Sequence, residues 1–310
     1  MSAAGEESTL VDERTCLWPA GALLGEGPLW SADEGVLYWV DIKQPRVFRY
    51  HLESGATNVF PMSEEIGCLG LVQGGGLIAG LRSGFAYLDL EQGTVQPIAD
   101  PERHLPGNRF NDGKCDSAGR FWAGTMDDGQ SEPSGSLYRL NPDLSVERMD
   151  QGYVITNGPA FSPDGTTLYH NDTLQRRIYA FECDPDTGAL GHRRTFAEIP
   201  AELGYPDGLT VDAEGGVWCA LWDGWRVMRF TPAGEVDQWL ELPVSQVTSC
   251  TFGGQDLGTL FVTTASIGLT REQRAAQPEA GGLFALDPGL RGLPTPAFAP
   301  HRRPGEEETG

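Results

Sequence analysis

The sequence has very few lysines and no long apolar run, and each shortage argues against a class of function. Lys43 and Lys114 are the only lysines among 310 residues, and the formal net charge is -22. A chain this acidic, without a basic patch, repels phosphate backbones, so we expect no nucleic-acid partner. No stretch approaches the roughly 18 to 20 apolar residues that cross a bilayer, and the first residues lack an apolar signal core. We therefore expect a cytoplasmic protein without a membrane partner.

Several chemical sequence motifs are also missing. The six cysteines are far apart and form no Cys-x-x-Cys pair, which is typical of reduced core residues rather than a disulfide framework or zinc site. There is no Gly-x-Ser-x-Gly, His-Glu-x-x-His or Walker motif, so nothing supports a serine hydrolase, a zincin or a nucleotide hydrolase. Helical periodicity is weak, and its best candidate, residues 270–277, is short enough to be a loop turn.

What the sequence does contain is a repeat. Each copy has a polar residue, usually followed by glycine, then a short apolar strand, a Gly-containing turn and a second apolar-aromatic strand. Weaker copies surround residues 77–80 and 260–263, and the clearest copies open at Glu26, Asn111, Asn157 and Asp207. Six copies spaced by roughly 40 to 50 residues match the length of a four-stranded propeller blade. The repeat predicts an all-β, six-bladed β-propeller better than a sandwich or a barrel.

The two chain ends are expected to close the propeller. Residues 15–18 would be an outer strand that completes the blade ending at residues 283–286, which hides the sheet edges. Residues 14–300 then form one domain, with tails at residues 1–13 and 301–310. Because a closed propeller needs no partner for stability, we expect a monomer.

The repeat also predicts where chemistry takes place. The residue eight or nine positions before the turn glycine begins the innermost strand of a blade, and inner strands surround the central channel. Glu26, Asn111, Asn157 and Asp207 occupy this position and offer oxygens suited to a hard or borderline divalent cation. The alternative is that Asn-Gly and Asp-Gly are only hairpin turns. Asn157 and Asp207 fit that alternative poorly, because another turn follows within about ten residues.

In this ordered set of motifs, the chain resembles the senescence-marker-protein/gluconolactonase/luciferin-regenerating-enzyme family, the regucalcin-like lactonases. The resemblance extends from about residue 16 to residue 290, and each motif would be weak alone. The motifs that carry it are Leu24-Gly25-Glu26-Gly27-Pro28, Asn108-Arg109-Phe110-Asn111-Asp112-Gly113-Lys114, Gly124-Thr125-Met126, Thr156-Asn157-Gly158-Pro159, Phe161-Ser162-Pro163-Asp164-Gly165 and Pro206-Asp207-Gly208-Leu209.

The resemblance implies a six-bladed propeller that hydrolyses a sugar lactone to the aldonic acid, as a gluconolactonase or xylonolactonase does. It also implies one divalent metal ion, with calcium or zinc foremost and magnesium, manganese or ferrous iron open. The family's metal ligands fall on Glu26, Asn157 and Asp207, and its substrate contacts fall on Arg109 and Asn111. A further acidic contact is not cleanly matched, and Asp128 is its candidate.

Opening a lactone requires a polarised carbonyl, an activated water and a stabilised oxyanion. Asp207 is the candidate general base, as the resemblance also implies. The alternative is that Asp207 is only a ligand and that hydroxide on the metal attacks without its help. Trp222 or Trp225 could line the sugar pocket, whereas His170 is expected to be structural. Rival functions are hydrolysis of other esters or phosphotriesters at the same site, and a non-catalytic calcium-binding propeller.

Overall fold

The computed structural model describes residues 15–302 and consists almost entirely of β-strands. The first strand, β1 (Thr15–Trp18), pairs with a strand from the other end of the chain, and the intervening strands form successive antiparallel sheets. Residues 1–13, predicted as a tail, and residues 303–310 of the second predicted tail lie outside the described residues.

Five of the sheets contain four strands that are consecutive in sequence. These are β2–β5 (Gly25–Ser31, Val36–Asp41, Arg46–His51, Thr57–Pro61), β6–β9 (Ile66–Val72, Leu77–Leu81, Gly84–Asp89, Thr94–Ala99), β10–β13 (Asn108–Cys115, Phe121–Asp127, Gly135–Leu140, Val146–Tyr153), β14–β17 (Thr156–Phe161, Thr167–Asp172, Arg177–Cys183, Leu190–Glu198) and β18–β21 (Tyr205–Val211, Val217–Trp222, Arg226–Phe230, Val236–Glu241). The sixth sheet combines β1 with β22–β24 (Val247–Gly253, Thr259–Thr264, Leu283–Leu286).

The first strands of the sheets close into a ring. β2, β6, β10, β14, β18 and β22 each contact the corresponding strands of both neighbouring sheets, including the contact between β22 and β2 that completes the circle. The six sheets are therefore the blades of a six-bladed β-propeller, as predicted, and these six strands are the inner strands. The pairing of β1 with β24 confirms that the two ends of the chain share one blade.

Two details differ from the expectation. Residues 271–276 form a short α-helix, α1 (Arg271–Ala276), rather than a turn, because Thr270 and Gln273 form a reciprocal capping box at its start. A further strand, β25 (Ala297–Phe298), pairs in parallel with β6, so the second blade has five strands.

The other short helix is a 3-10 turn at Ala201–Leu203. Among residues 15–302, no helix is long and apolar enough to cross a membrane.

The core lies between the faces of adjacent blades. Trp39, Trp122 and Trp218 sit on second strands and are completely buried. Trp39 stacks on Phe48 with ring centroids 4.1 Å apart. Five of the six cysteines are also buried, and all six are free, as the spacing predicted. The alternating apolar residues of each strand therefore stabilise the fold mainly by covering the next blade.

Two blades have the same buried aspartate at the end of the inner strand. Asp116 accepts hydrogen bonds from Trp122 Nε1 (2.7 Å) and Arg120 Nε (2.5 Å). Asp212 accepts from Trp218 Nε1 (2.8 Å) and Arg229 Nε (2.7 Å). Both aspartates also accept backbone N–H groups of the following turn. Each aspartate thus ties an inner hairpin turn to a core tryptophan and a buried arginine.

Replacing Asp212 with alanine should lower the free energy of unfolding by about 3–5 kcal/mol, because Arg229 and Trp218 lose their buried acceptor. The matched control is Asp164→Ala in the turn of another blade, where the carboxylate is exposed and accepts only local hydrogen bonds. That control should cost about 1 kcal/mol or less. Chemical denaturation monitored by tryptophan fluorescence measures both values. Equal losses in the two variants would show that the buried aspartate has no special role.

Candidate functional site

Four predicted polar residues lie near the starts of inner strands at one end of the channel. Glu26, Asn111, Asn157 and Asp207 are on β2, β10, β14 and β18, and their exposures are 4%, 6%, 2% and 6%. In each of these strands the pairing with the second strand shifts register beside the polar residue. These bulges turn the strand locally and re-aim side chains.

Asn157-Gly158 and Asp207-Gly208 lie inside strands, so the hairpin-turn alternative is wrong for both. A Cβ on Gly208 would come within 2.0 Å of Ser249 Oγ on the neighbouring inner strand. Gly158 has a φ of +79°, which side chains disfavour. Gly208 therefore allows two inner strands to approach closely, and Gly158 allows a bulge. Neither glycine forms a hairpin turn.

The amide groups of Asn111 and Asn157 have defined orientations. Asn111 Nδ2 donates to Asn157 Oδ1 (2.9 Å) and to Thr156 O (2.7 Å). Asn157 Nδ2 lies on the opposite side of the amide from this contact and donates to Thr173 Oγ1 at 2.9 Å. Because each amide nitrogen has a protein acceptor, the oxygen of Asn157 remains on the side of the inner-strand cluster.

Glu26 and Asp207 form a buried carboxyl pair, although they come from the first and fifth blades. Their side chains are within hydrogen-bonding reach of one another. Burial and the nearby charge of Asp112 raise the pKa of Glu26 to about 8. Burial and the charges of Glu26 and Asp112 raise the pKa of Asp207 well above its ordinary value. Two like charges this close cannot both remain ionised without a compensating cation.

Asp112 is a site residue that the repeat pattern did not single out. Its carboxylate accepts from Gly113 N (2.7 Å) and, across the blade boundary, from Gly158 N (2.9 Å). Burial raises its pKa to about 6. Asp112 therefore adds negative charge near the carboxyl pair and links the strand segments that carry Asn111 and Asn157. The sequence signal that could have identified Asp112 is its position next to Asn111, near the start of the same inner strand.

Lys114 is the second residue that sequence reasoning missed. Its ammonium Nζ donates to Leu209 O at 2.9 Å, and burial lowers its pKa despite the opposing charge of Asp112. Lys114 also lines a cavity of about 480 Å³ where the inner strands end. The shortage of lysine was the available signal. Lys43 contacts Asp128 at the end where the inner strands start, whereas Lys114 lines the cavity where they end.

Arg109 connects the inner residues to the rim. Its Nη1 donates to Asn111 Oδ1 at 2.7 Å, and its Nε donates to Asp128 Oδ1 at 2.8 Å. The structure thus brings together all three predicted substrate contacts. Asp128 also accepts from Lys43 Nζ (2.5 Å) and Arg82 Nη2 (2.7 Å). Burial opposes its ionisation, but the hydrogen bonds from Lys43 and Arg109 outweigh this and lower the pKa of Asp128 to about 2.

The remaining candidates occupy different environments. Trp222 ends β19 and is half-buried, whereas Trp225 lies in the turn before β20 and is 42% exposed. His170 is completely buried, and neither ring nitrogen has a hydrogen-bond partner within residues 15–302. Burial lowers the pKa of His170 to about 4, so it is neutral, and it packs edge-on against Tyr153. His170 is therefore a packing residue without the hydrogen bonds expected of a structural histidine.

The inner cluster has the chemistry of a divalent-cation site. Glu26 and Asp207 are buried next to one another, and the oxygen of Asn157 is oriented toward the cluster by the hydrogen bond from its amide nitrogen to Thr173. A mixed set of carboxylate and amide oxygens suits a hard cation. Within the described residues, no group of three histidine, cysteine, aspartate or glutamate side chains could hold a metal. The asparagine is thus an essential member of the candidate set.

Fold and site together define a class: a six-bladed β-propeller with a buried acidic and amide cluster at one end of its channel. Residues 24–266 match the SMP-30/Gluconolactonase/LRE-like region. The chain belongs to this family, as the motif resemblance implied.

Individual relatives are similar over nearly their full length. Regucalcin of Gallus gallus is 39% identical, over 89% of this chain and 95% of the relative. The 6-deoxy-6-sulfogluconolactonase of Pseudomonas putida is 37% identical, over 92% of this chain and 98% of the relative. The crystal structure of the calcium-binding protein regucalcin from Agrobacterium tumefaciens superposes with a TM-score of 0.87 at 31% identity, covering 91% of this chain and 96% of that one.

The carboxyl pair makes the stability of the metal-free protein depend on pH. The ordinary pKa of Glu26 is 4.5 and its folded pKa is about 8, so the folded state retains a proton that the unfolded chain has released. Stability should therefore fall as pH rises from about 5 to 8 in the presence of a chelator. Glu26→Gln should flatten this slope and stabilise the metal-free protein at pH 8 by about 3 kcal/mol.

Thermal unfolding across this pH range provides the measurement, and Glu53→Gln, at an exposed position, is the matched control. Excess divalent cation should remove most of the slope in the wild type by binding the folded state. An identical pH slope in wild type and Glu26→Gln would contradict the electrostatic account of the pair.

Proposed function

We propose that this protein hydrolyses a sugar lactone to the aldonic acid with the help of one bound divalent cation. The observation that carries the proposal is the buried pair of Glu26 and Asp207 beside the oriented amide of Asn157. Membership of a family that includes lactonases supports the reaction class. The calcium-binding relative from Agrobacterium tumefaciens supports an oxygen-liganded cation.

Glu26, Asn157 and Asp207 would hold the cation. The two carboxylates supply the negative charge and the amide supplies a neutral oxygen, a donor set that suits calcium and accepts magnesium, manganese, ferrous iron or zinc less selectively. When bound, the cation would polarise the lactone carbonyl and offset the charge of the two acids. It would also keep both acids ionised at neutral pH, since each then has an opposite charge nearby.

Asp207 would act as the general base. It accepts a proton from the attacking water, whose oxygen forms a bond to the carbonyl carbon. The bond between the carbonyl carbon and the ring oxygen would then break, and the ring oxygen would take up the proton from Asp207, which gives the aldonic acid. A carboxylate held next to a cation is a weak base, so Asp207 relies on its placement rather than on a high pKa.

Arg109 and Asn111 would orient the sugar. The described hydrogen bonds of Arg109 use Nε and Nη1, which leaves Nη2 to donate to ring or hydroxyl oxygens. Asn111 is fixed by its bonds to Thr156 and Asn157 and so presents a rigid edge. Asp128 keeps Arg109 in place and can itself accept from a sugar hydroxyl.

Activity should appear in a screen of purified protein against five- and six-carbon aldonolactones. Turnover should disappear with a chelator and return when calcium, zinc, magnesium, manganese or ferrous iron is added singly. The same panel should include a phosphotriester and simple aryl esters. Hydrolysis of those compounds but not of lactones would favour the ester or phosphotriester reaction. Divalent binding by calorimetry without any turnover would favour a non-catalytic propeller.

Asp207→Asn should reduce kcat by about a thousandfold or more, because the base is lost while side-chain size is kept. Asp143→Asn, in an exposed hairpin turn, is the control and should leave kcat unchanged. Calorimetry of the first variant separates two roles: retained divalent binding indicates a base, and lost binding indicates mainly a ligand. Near-normal turnover would contradict both roles.

A further inference from the structure

A cluster of charges lies at the rim of the site and is not explained by lactone hydrolysis alone. This rim cluster consists of Lys43, Glu65, Arg82, Arg109 and Asp128. Lys43 follows β3, Glu65 precedes β6, Arg82 follows β7 and Asp128 follows β11. All four loops are at the end of the propeller where the inner strands start, which is the end that holds Glu26 and Asp207.

The rim cluster contains more positive than negative side chains, unlike the chain as a whole. The whole chain carries a formal charge of -22. The cluster contains three cations and two carboxylates, and therefore has a net charge of about +1 at neutral pH. Lys43, one of two lysines in the chain, contacts both Glu65 (2.8 Å) and Asp128 (2.5 Å). Arg82 also contacts both carboxylates, at 2.8 Å and 2.7 Å.

The cations of the rim cluster retain unused donors. The hydrogen bonds of Arg82 to described residues use Nε and Nη2, and none uses Nη1. Lys43 uses two of its three N–H groups, and Arg109 leaves Nη2 without a bond to residues 15–302. The side chains of Lys43 and Arg82 are 23% and 36% exposed, so a ligand can reach them from solvent.

The cluster is connected to the reaction centre in a definite order. Asn111 contacts Asn157, Arg109 contacts Asn111, and Asp128 bridges Arg109 to Lys43 and Arg82. A lactone with its carbonyl at the acid pair and its ring oxygens at Arg109 would have its far carbon on the side of Asp128, where Lys43 and Arg82 lie. An anionic group on that carbon would meet the unfilled charge-assisted donors of Lys43 and Arg82.

Resting on the proposed function, we propose that Lys43 and Arg82 select sugar lactones that carry an anionic group on the carbon most distant from the carbonyl. Phosphate, sulfonate and carboxylate share the required chemistry, since each presents several acceptor oxygens to the unused donors. The anion offsets the excess positive charge of the rim cluster without displacing Glu65 or Asp128. A neutral lactone leaves these donors to water and gains less from binding.

The test compares kcat/KM for matched neutral and anionic lactones of the same ring size. The pairs are glucono-1,5-lactone with its 6-phosphate, and glucono-1,4-lactone with glucaro-1,4-lactone, which carries a carboxylate. In the wild type the anionic member should be preferred, and the preference should shrink at high salt. Lys43→Met and Arg82→Met should each lower the anionic-to-neutral ratio by about tenfold or more. The two pairs separate a phosphate preference from a carboxylate preference.

Lys43→Arg, which keeps the charge, should retain most of the ratio and guards against a folding defect in Lys43→Met. Arg291→Met is the control for loss of one exposed arginine in an ion pair away from the site, and should leave the ratio unchanged. Equal losses for both members of a pair would show that Lys43 and Arg82 only position Asp128 and Arg109, and would overturn the inference. A wild-type preference for neutral lactones would also overturn it. Failure to hydrolyse any lactone would instead contradict the proposed function.

Discussion

Two carboxyl groups that are out of water and within hydrogen-bonding reach of one another impose the strongest physical demand on this molecule. Glu26 and Asp207 belong to different blades, so neither blade alone could hold them together. Closure of the inner strands into a ring brings them to one axis and excludes solvent. The arrangement costs stability until a cation balances it, and in the proposed function that cost would favour the binding of a divalent ion.

The other features of the site reduce the freedom of this pair. Asp112 receives backbone N–H groups from its own strand and from the strand of Asn157, so two blades share one carboxylate. Asn111 orients the amide of Asn157 in the same way, across the same boundary. At the opposite end of the inner strands, Asp116 and Asp212 hold the hairpins to core tryptophans. The channel is thus fixed at both ends by buried polar groups whose partners are satisfied.

Charge is distributed unevenly around the site. An acidic surface favours cations in general, yet three positive side chains, Lys43, Arg82 and Arg109, are concentrated on one side of the rim of the site. Lys43 and Arg82 place that positive charge beyond Arg109, away from the carboxyl pair. The site therefore has a negative inner end that suits a metal and a positive outer end that suits an anion. A molecule with its positive part at the inner end and its negative part at the outer end is complementary to both ends.

The sequence by itself determined the fold class, the blade count and the phase of Glu26, Asn111, Asn157 and Asp207, because turn chemistry and strand alternation are local and recur in each blade. The ordered motifs also pointed to Arg109, whereas Asp128 was only a candidate for a contact that the motifs do not cleanly match. Only the tertiary structure decided which side chains face each other across blade boundaries. Asp112 and Lys114 escaped detection because their roles depend on Gly158 and Leu209 in other blades. The sequence likewise could not predict that Asp128 pairs with Lys43 and Arg82, since loops from separate blades meet only when the ring closes.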